Sequence, residues 1–139
     1  MLTAIAHAAK RHWGYPEHWI SAWIDELTVT RDYVAAHHVY LAELETEVAG
    51  FYALYEAESR WSLDQLWVRP LSIGLGIGRL LYRHALETAR RGGCAELPID
   101  SDPNVTGFYE RTGAERRGTF SAPMDGCHRE RPQYVVRFD

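Results

Sequence analysis

Gly74, Gly76 and Gly78, spaced at alternate positions, are the residues of this 139-residue chain that bear most directly on chemistry. They follow Leu66, Trp67 and Val68, which favour a strand, and Pro70, whose missing N–H ends pairing; a helical pattern begins behind them. Without Cβ atoms the backbone can turn tightly and bring several N–H groups against a ligand, and the first amides of a helix have no intrahelical partner. The stretch therefore reads as an anion site between a strand and a helix. Its spacing excludes the two commonest glycine loops. There is no Gly-Lys-Ser/Thr, and a GxGxxG pattern would need glycine where the chain has Arg79 or Leu81.

The elements that hold this loop can be read from periodicity. Leu2 to Arg11 and Pro16 to Leu27 are expected as two helices, with Pro16 suited to a first helical position and Ile20, Trp23, Ile24 and Leu27 recurring at three and four residues. Trp13, Tyr15, Trp19 and Trp23 read as core packing. Thr30 suits the cap of a short third helix through Ala36. From His38 the period is two. Val39 to Glu45 and Glu47 to Glu56 pair across a turn near Thr46, with a bulge at Gly50, and Trp61 to Val68 completes an antiparallel meander.

The helix behind the loop is expected from about Gly76 to Arg91. Ile77, Leu80, Leu81, Ala85 and Thr88 face inward, Arg79, Arg83, Glu87 and Arg90 face outward, and Gly92 and Gly93 stop it. Cys94 to Ser101 is the next strand, parallel to the one before the loop because a helix crosses between them. Asp102 as N-cap, Pro103 as first residue and Gly113 as stop predict a short helix. Glu115 to Phe120 and Gln133 to Phe138 are the last strands, joined by Ser121 to Pro132.

Hydrophobic residues make up 46% of the chain and charged residues 24%, the balance of one soluble globular domain over residues 1–139. A net charge of −4 gives no electrostatic footprint for nucleic acid or an anionic membrane. No apolar run reaches signal-peptide or membrane-spanning length, so a cytoplasmic protein is expected. Cys94 and Cys127 belong to no CxxC or Cys/His cluster, and His37 and His38 would point to opposite faces of a strand, so no metal site is expected.

A second motif follows the first at a defined interval. Asn104 precedes Phe108-Tyr109-Glu110-Arg111, then Gly113-Ala114. Together with Val68-x-Pro70 and Gly74-x-Gly76-x-Gly78, this resembles the two sequence blocks of the GNAT superfamily of acyl-CoA N-acyltransferases. The family's loop usually opens with Gln or Arg where this chain has Ile73, which removes a side chain and leaves the amides. The resemblance runs from about Val39 to the C-terminus. It implies an α+β fold: a mostly antiparallel twisted sheet with a parallel, splayed strand pair and helices on both faces. The family's first strand is missing here, which implies an exposed edge near Val39 and a homodimer as one way to cover it.

Residue by residue, the resemblance implies that main-chain groups at Leu66, Trp67 and Val68 hold the pantetheine and polarise the thioester. Amides at Gly74, Gly76, Ile77, Gly78 and Arg79 hold the pyrophosphate of acetyl-CoA, the cosubstrate, and the Arg79 side chain assists. Asn104 faces the cleft and Tyr109 lies near the sulfur. The implied reaction is direct attack of a primary amine, on a small molecule or a peptide, on the thioester. A donor must stabilise the oxyanion, Tyr109 protonates the departing thiolate, and a base accepts the amine's proton. Asp64, on the strand entering the site, is the first candidate base, with Glu56, Glu58 and Asp100 as alternatives. By strict alternation Asp64 shares a face with Leu66 and Val68, so it is functional, paired or re-aimed by a bulge. The N-terminal aromatics then have a second reading, as a wall of the acceptor pocket. Two rival functions remain: an acetyl-CoA sensor without turnover, and a nucleotide-phosphate-binding regulatory module.

Overall fold

The computed structural model describes residues 1–102, 105–121 and 130–138, so Asn104 and Cys127 lie outside the described residues. Among the described residues, six α-helices and six strands follow one another as α1 (Leu2–His12), α2 (Glu17–Ala22), α3 (Ile24–Leu27), α4 (Arg31–Ala36), β1 (His38–Leu44), β2 (Glu47–Ala57), β3 (Arg60–Val68), α5 (Ile77–Arg91), β4 (Glu96–Asp100), α6 (Thr106–Arg111), β5 (Glu115–Ser121) and β6 (Glu130–Arg137). The strands form one sheet in the order β1-β2-β3-β4-β6-β5. Every pairing is antiparallel except β3 with β4, which are parallel and meet through one residue pair, Leu63 with Ile99. Beyond that pair the two strands separate, as the resemblance implies. With four helices preceding it, β1 is the first strand described and an edge of the sheet.

Alternation along β2 sends neighbouring residues to two cores on opposite faces. Phe51 packs with Ile5, Ile20 and Leu27 of α1 to α3, whereas Tyr52 and Leu54 join Leu81, Tyr82 and Ala85 of α5. Burying apolar side chains of this size contributes roughly 1.5–3 kcal/mol each, so both helical layers are fastened to the sheet by its own pleat.

Three local expectations are corrected, and a fourth falls partly on residues outside those described. The helix expected over Pro16 to Leu27 breaks at Trp23 (φ −94°, ψ 11°), whose amide reaches the carbonyls of both Trp19 and Ile20, a tightened last turn; Ile24 is consequently 52% exposed instead of inward. Gly50 is not the bulged residue of β2. The register skips Ala49, while Gly50 pairs with Ala42 and Val68 and is glycine because a Cβ there would lie 2.6 Å from the Trp67 carbonyl oxygen. On α5, Leu80 is exposed, and Tyr82 and Ala89 take inward positions instead. Finally, α6 is described from Thr106, after Val105; Pro103, the expected first helical residue behind Asp102, lies outside the described residues, and Gly113 (φ +89°) does follow the end of the helix.

Candidate active site

A cleft of about 1000 Å³ runs from the N-terminus of α5, past the separation of β3 and β4, to the helices α1 to α4. Of the expected site residues, Asp64, Leu66, Trp67, Val68, Gly74, Gly76, Ile77, Gly78, Arg79 and Tyr109 all line it. Asn104 lies outside the described residues.

At one end the chain leaves β3, makes a single 3₁₀ turn at Pro70–Ser72, and enters α5 through the glycine loop. Gly74 (φ +89°) and Gly76 (φ +82°) both occupy the left-handed region that side chains disfavour, and a Cβ on either would meet nothing within 4 Å. Their glycine identity is set by backbone conformation rather than by crowding. Ile77, Gly78 and Arg79 are the first three residues of α5, so their amides have no carbonyl one turn back to bond. An anion placed here meets unspent donors, the positive end of a 15-residue helix and the exposed Arg79 guanidinium. The residues present fit a pyrophosphate. Ile73, which is 46% exposed, adds no polar group to it.

In the middle of the cleft, α6 supplies Tyr109, only 5% exposed and ringed by Tyr82, Phe108 and Tyr134 at centroid distances of 5.7, 5.2 and 5.7 Å. Burial pushes the Tyr109 phenol above its ordinary value, and nearby Tyr82, Asp102 and Asp100 push in the same direction. The hydroxyl is therefore a proton donor throughout the neutral range.

Asp64 sits at an irregularity in the β2–β3 ladder. Ala53 pairs with Gln65 and Leu54 with Leu63, so Asp64 is the extra residue of a β-bulge. The bulge resets the alternation: Leu63 and Leu66 both face the α5 core, and Asp64 turns outward into the cleft. There the Tyr33 hydroxyl donates to Asp64 Oδ2, and His37 Nε2 lies 3.7 Å from the same oxygen. Tyr33 stacks on His37 at 3.7 Å, and its phenol is pushed up by burial and by the hydrogen bond to Asp64. Asp64 is thus both paired and re-aimed. The alternative bases fare differently. Glu56 is paired with His38 at 3.2 Å, neither Glu56 nor Glu58 lines the cleft, and Asp100 does line it but is held by Arg131 at 2.6 Å and Gln133 at 3.0 Å.

The far end was not legible in the sequence beyond its aromatics. Trp13 and Trp23 line the cleft, joined by Asp25, Tyr33, Lys10 and Asp102. Lys10 reaches across from α1 to Asp102, Nζ to Oδ2 2.7 Å, and Tyr15 donates its hydroxyl to the same carboxylate at 3.0 and 3.1 Å. Cys94 is buried outside the cleft, and burial pushes its thiol up, away from thiolate chemistry. Among the described residues no cluster of His, Cys, Asp or Glu is arranged to hold a metal, and no helix is long and apolar enough to cross a membrane.

A mixed sheet with one splayed parallel pair, a left-handed glycine loop at a helix N-terminus and a buried tyrosine across the gap defines an acyl-CoA transferase class of site. Comparison with known proteins agrees. The sequence profile of the Acetyltransferase (GNAT) family matches residues 2–114, and the chain belongs to that family. It is 28% identical over 104 residues to the thialysine N-epsilon-acetyltransferase of Caenorhabditis elegans, a match covering 66% of this chain and 65% of that protein's length. The fold is similar to a GCN5-related N-acetyltransferase from Rhodopseudomonas palustris (TM-score 0.78, 20% identity, 99% of this chain and 88% of that one). It is also similar to the PaiA N-acetyltransferase of Thermoplasma acidophilum in complex with coenzyme A (TM-score 0.73, 16% identity, 99% and 91%). A third structure, a GNAT acetyltransferase of Elizabethkingia anophelis with acetyl-CoA bound, has a TM-score of 0.64 at 18% identity over 77% of this chain and 80% of that one.

Proposed function

We propose that this protein transfers an acetyl group from acetyl-CoA to a primary amine by direct attack, with both substrates in the cleft together. The observation that carries this reading is that one cleft holds the first amides of α5, the buried Tyr109 phenol and the Asp64 carboxylate turned out of the sheet. Acetyl-CoA supplies the activated acyl group. The chain's own groups then have separate tasks. Amides of Gly74, Gly76, Ile77, Gly78 and Arg79 hold the pyrophosphate, and main-chain groups of Leu66 to Val68, next to the bulge, face the gap that the pantetheine would enter. Tyr109 holds the proton that the departing thiolate takes. Asp64, turned into the cleft by the bulge, receives the amine's proton directly or through water, and Tyr33 and His37 hold its orientation.

The acceptor end favours an amine carried on a cationic or mixed cationic and apolar body, because Asp25, Asp64, Trp13, Trp23 and Tyr33 converge there. The relative named for N-epsilon-acetylation of thialysine supports an amine acceptor. A thiol-release assay with acetyl-CoA and a panel of primary amines, peptides included, tests the reading. CoA-dependent acetylation of at least one amine is expected; tight acetyl-CoA binding with no turnover on any amine would leave a sensor.

A further inference from the structure

Lys10 is the only lysine in the chain, against fourteen arginines, and it lies inside the transfer cleft. It is 8% exposed. Its ammonium is 2.7 Å from Asp102 Oδ2 and sits 4.6, 4.9 and 5.4 Å from the ring centroids of Trp23, Tyr15 and Trp67. An aromatic cage closed by a carboxylate is the kind of site that receives an ammonium group. Here it holds one that the protein itself supplies.

A buried ion pair is a weak device for stability, since desolvation of both charges offsets most of their attraction. Lysine also differs from the arginine used everywhere else in this chain in one chemical respect: once it gives up a proton, it is a primary amine and a nucleophile. Trp67, over which Lys10 lies, is flanked by Leu66 and Val68 on the strand that borders the gap between β3 and β4. The chain's single side-chain amine therefore lies in the same cleft as the glycine loop and Tyr109, over a residue of that strand.

We propose that Lys10 Nζ is an internal acceptor, so that without an external amine the protein acetylates itself at Lys10. The proposal rests on the transfer activity proposed above. In the step, the Asp102 carboxylate takes one proton from the Lys10 ammonium. The free amine attacks the thioester carbonyl carbon, and the C–N bond forms as the C–S bond breaks. The departing thiolate takes the Tyr109 proton, and the second proton lost by nitrogen returns to Tyr109. The products are N-ε-acetyl-Lys10 and free CoA thiol, with one proton released overall. Acetylation removes the ion pair and the cation–π contacts and leaves a neutral amide in the acceptor end of the cleft, so each molecule reacts once and is then closed to external amines.

The test is to incubate the purified folded protein with acetyl-CoA and no amine, and follow intact mass and tryptic peptides. One acetyl group per chain is expected, with the peptide Met1–Arg11 appearing because trypsin no longer cuts after Lys10, and with fragment ions assigning the acetyl group to Lys10 rather than to the Met1 amine. A burial that merely hides Lys10 would slow chemical acetylation relative to urea-denatured protein, whereas a positioned acceptor reacts at least about tenfold faster folded than denatured. Lys10→Arg, which keeps the charge and removes the primary amine, should bind CoA and gain no acetyl group; if this variant fails to fold, the folded-to-denatured rate ratio of the wild-type protein decides. A protein that binds CoA and acetylates external amines but gains nothing at Lys10, or gains it faster when denatured, overturns the inference and leaves the proposed function standing. Failure to bind CoA overturns both.

Discussion

On its α5 side the cleft is lined by backbone at Gly74, Gly76, Ile77, Gly78 and Arg79, whose positions follow from two left-handed glycines and one helix start. On its α1 side it is lined by side chains from separate segments: Lys10, Trp23, Tyr33, Asp64 and Asp102. In the proposed reaction the first wall takes the pyrophosphate that every CoA thioester carries, through backbone amides. In that reaction the second wall takes the acceptor, through side chains that the fold gathers from distant segments.

Substitutions should separate the two walls. The largest effect is expected for Gly76→Val. A β-branched residue at φ +82° is strained by about 1–3 kcal/mol and withdraws the amides from register, while open space around the position spares the packing. Calorimetric titration should find CoA affinity lost in a protein whose circular dichroism is unchanged; unchanged affinity would break the assignment of the first wall.

Next is Tyr109→Phe, which keeps the ring among Tyr82, Phe108 and Tyr134 and removes only the proton. Turnover should fall by about 10²-fold with CoA affinity unaltered, because a thiolate is a tolerable leaving group and the lower end of general-acid contributions applies. The pH dependence has a definite sign. Burial raises the Tyr109 phenol above 10, so the donor is protonated below that pH, and any alkaline limb that it controls lies above pH 10 in the wild-type protein and disappears in the variant. A Phe variant with wild-type turnover across the pH range would make Tyr109 a packing residue.

Asp64→Asn should cost about 10- to 100-fold in turnover with little change in CoA affinity. The deficit should narrow as pH rises, because more of the acceptor amine is then unprotonated without help. A pH-independent deficit would point to orientation rather than proton acceptance. The smallest effect is expected for Asp25→Asn, an exposed carboxylate at the acceptor end: KM for a cationic amine should rise by about two- to tenfold and KM for acetyl-CoA should hold. Equal changes in both constants would erase the distinction between the walls.

What the sequence reveals divides along the same line. The glycine loop, the Phe108-Tyr109 pair and the parallel crossover through α5 are local patterns of backbone and periodicity, and they are legible. Asp64 was legible as a conflict: a carboxylate on the core face of a strand must be paired or bulged, and it is both. The break at Trp23 has no glycine or proline to mark it, and apolar spacing continues through it. Asp102 has the residue type of an N-cap, yet its partner Lys10 lies 92 positions away, and no local pattern carries such a contact. The two signals that were available are the isolation of one lysine among arginines and the density of tryptophan before residue 24.

The claim on which the account turns is that unpaired backbone amides of the glycine loop hold the CoA pyrophosphate. The direct measurement is a titration of CoA into nitrogen-15-labelled protein followed by amide resonances, with ATP and NAD titrated separately. Saturable shifts are expected for CoA, largest at Gly74, Gly76, Ile77, Gly78 and Arg79 and extending along Leu66 to Val68, with ATP and NAD weaker and confined to the loop. Shifts that leave the loop untouched, or ATP or NAD binding more tightly than CoA, would contradict it.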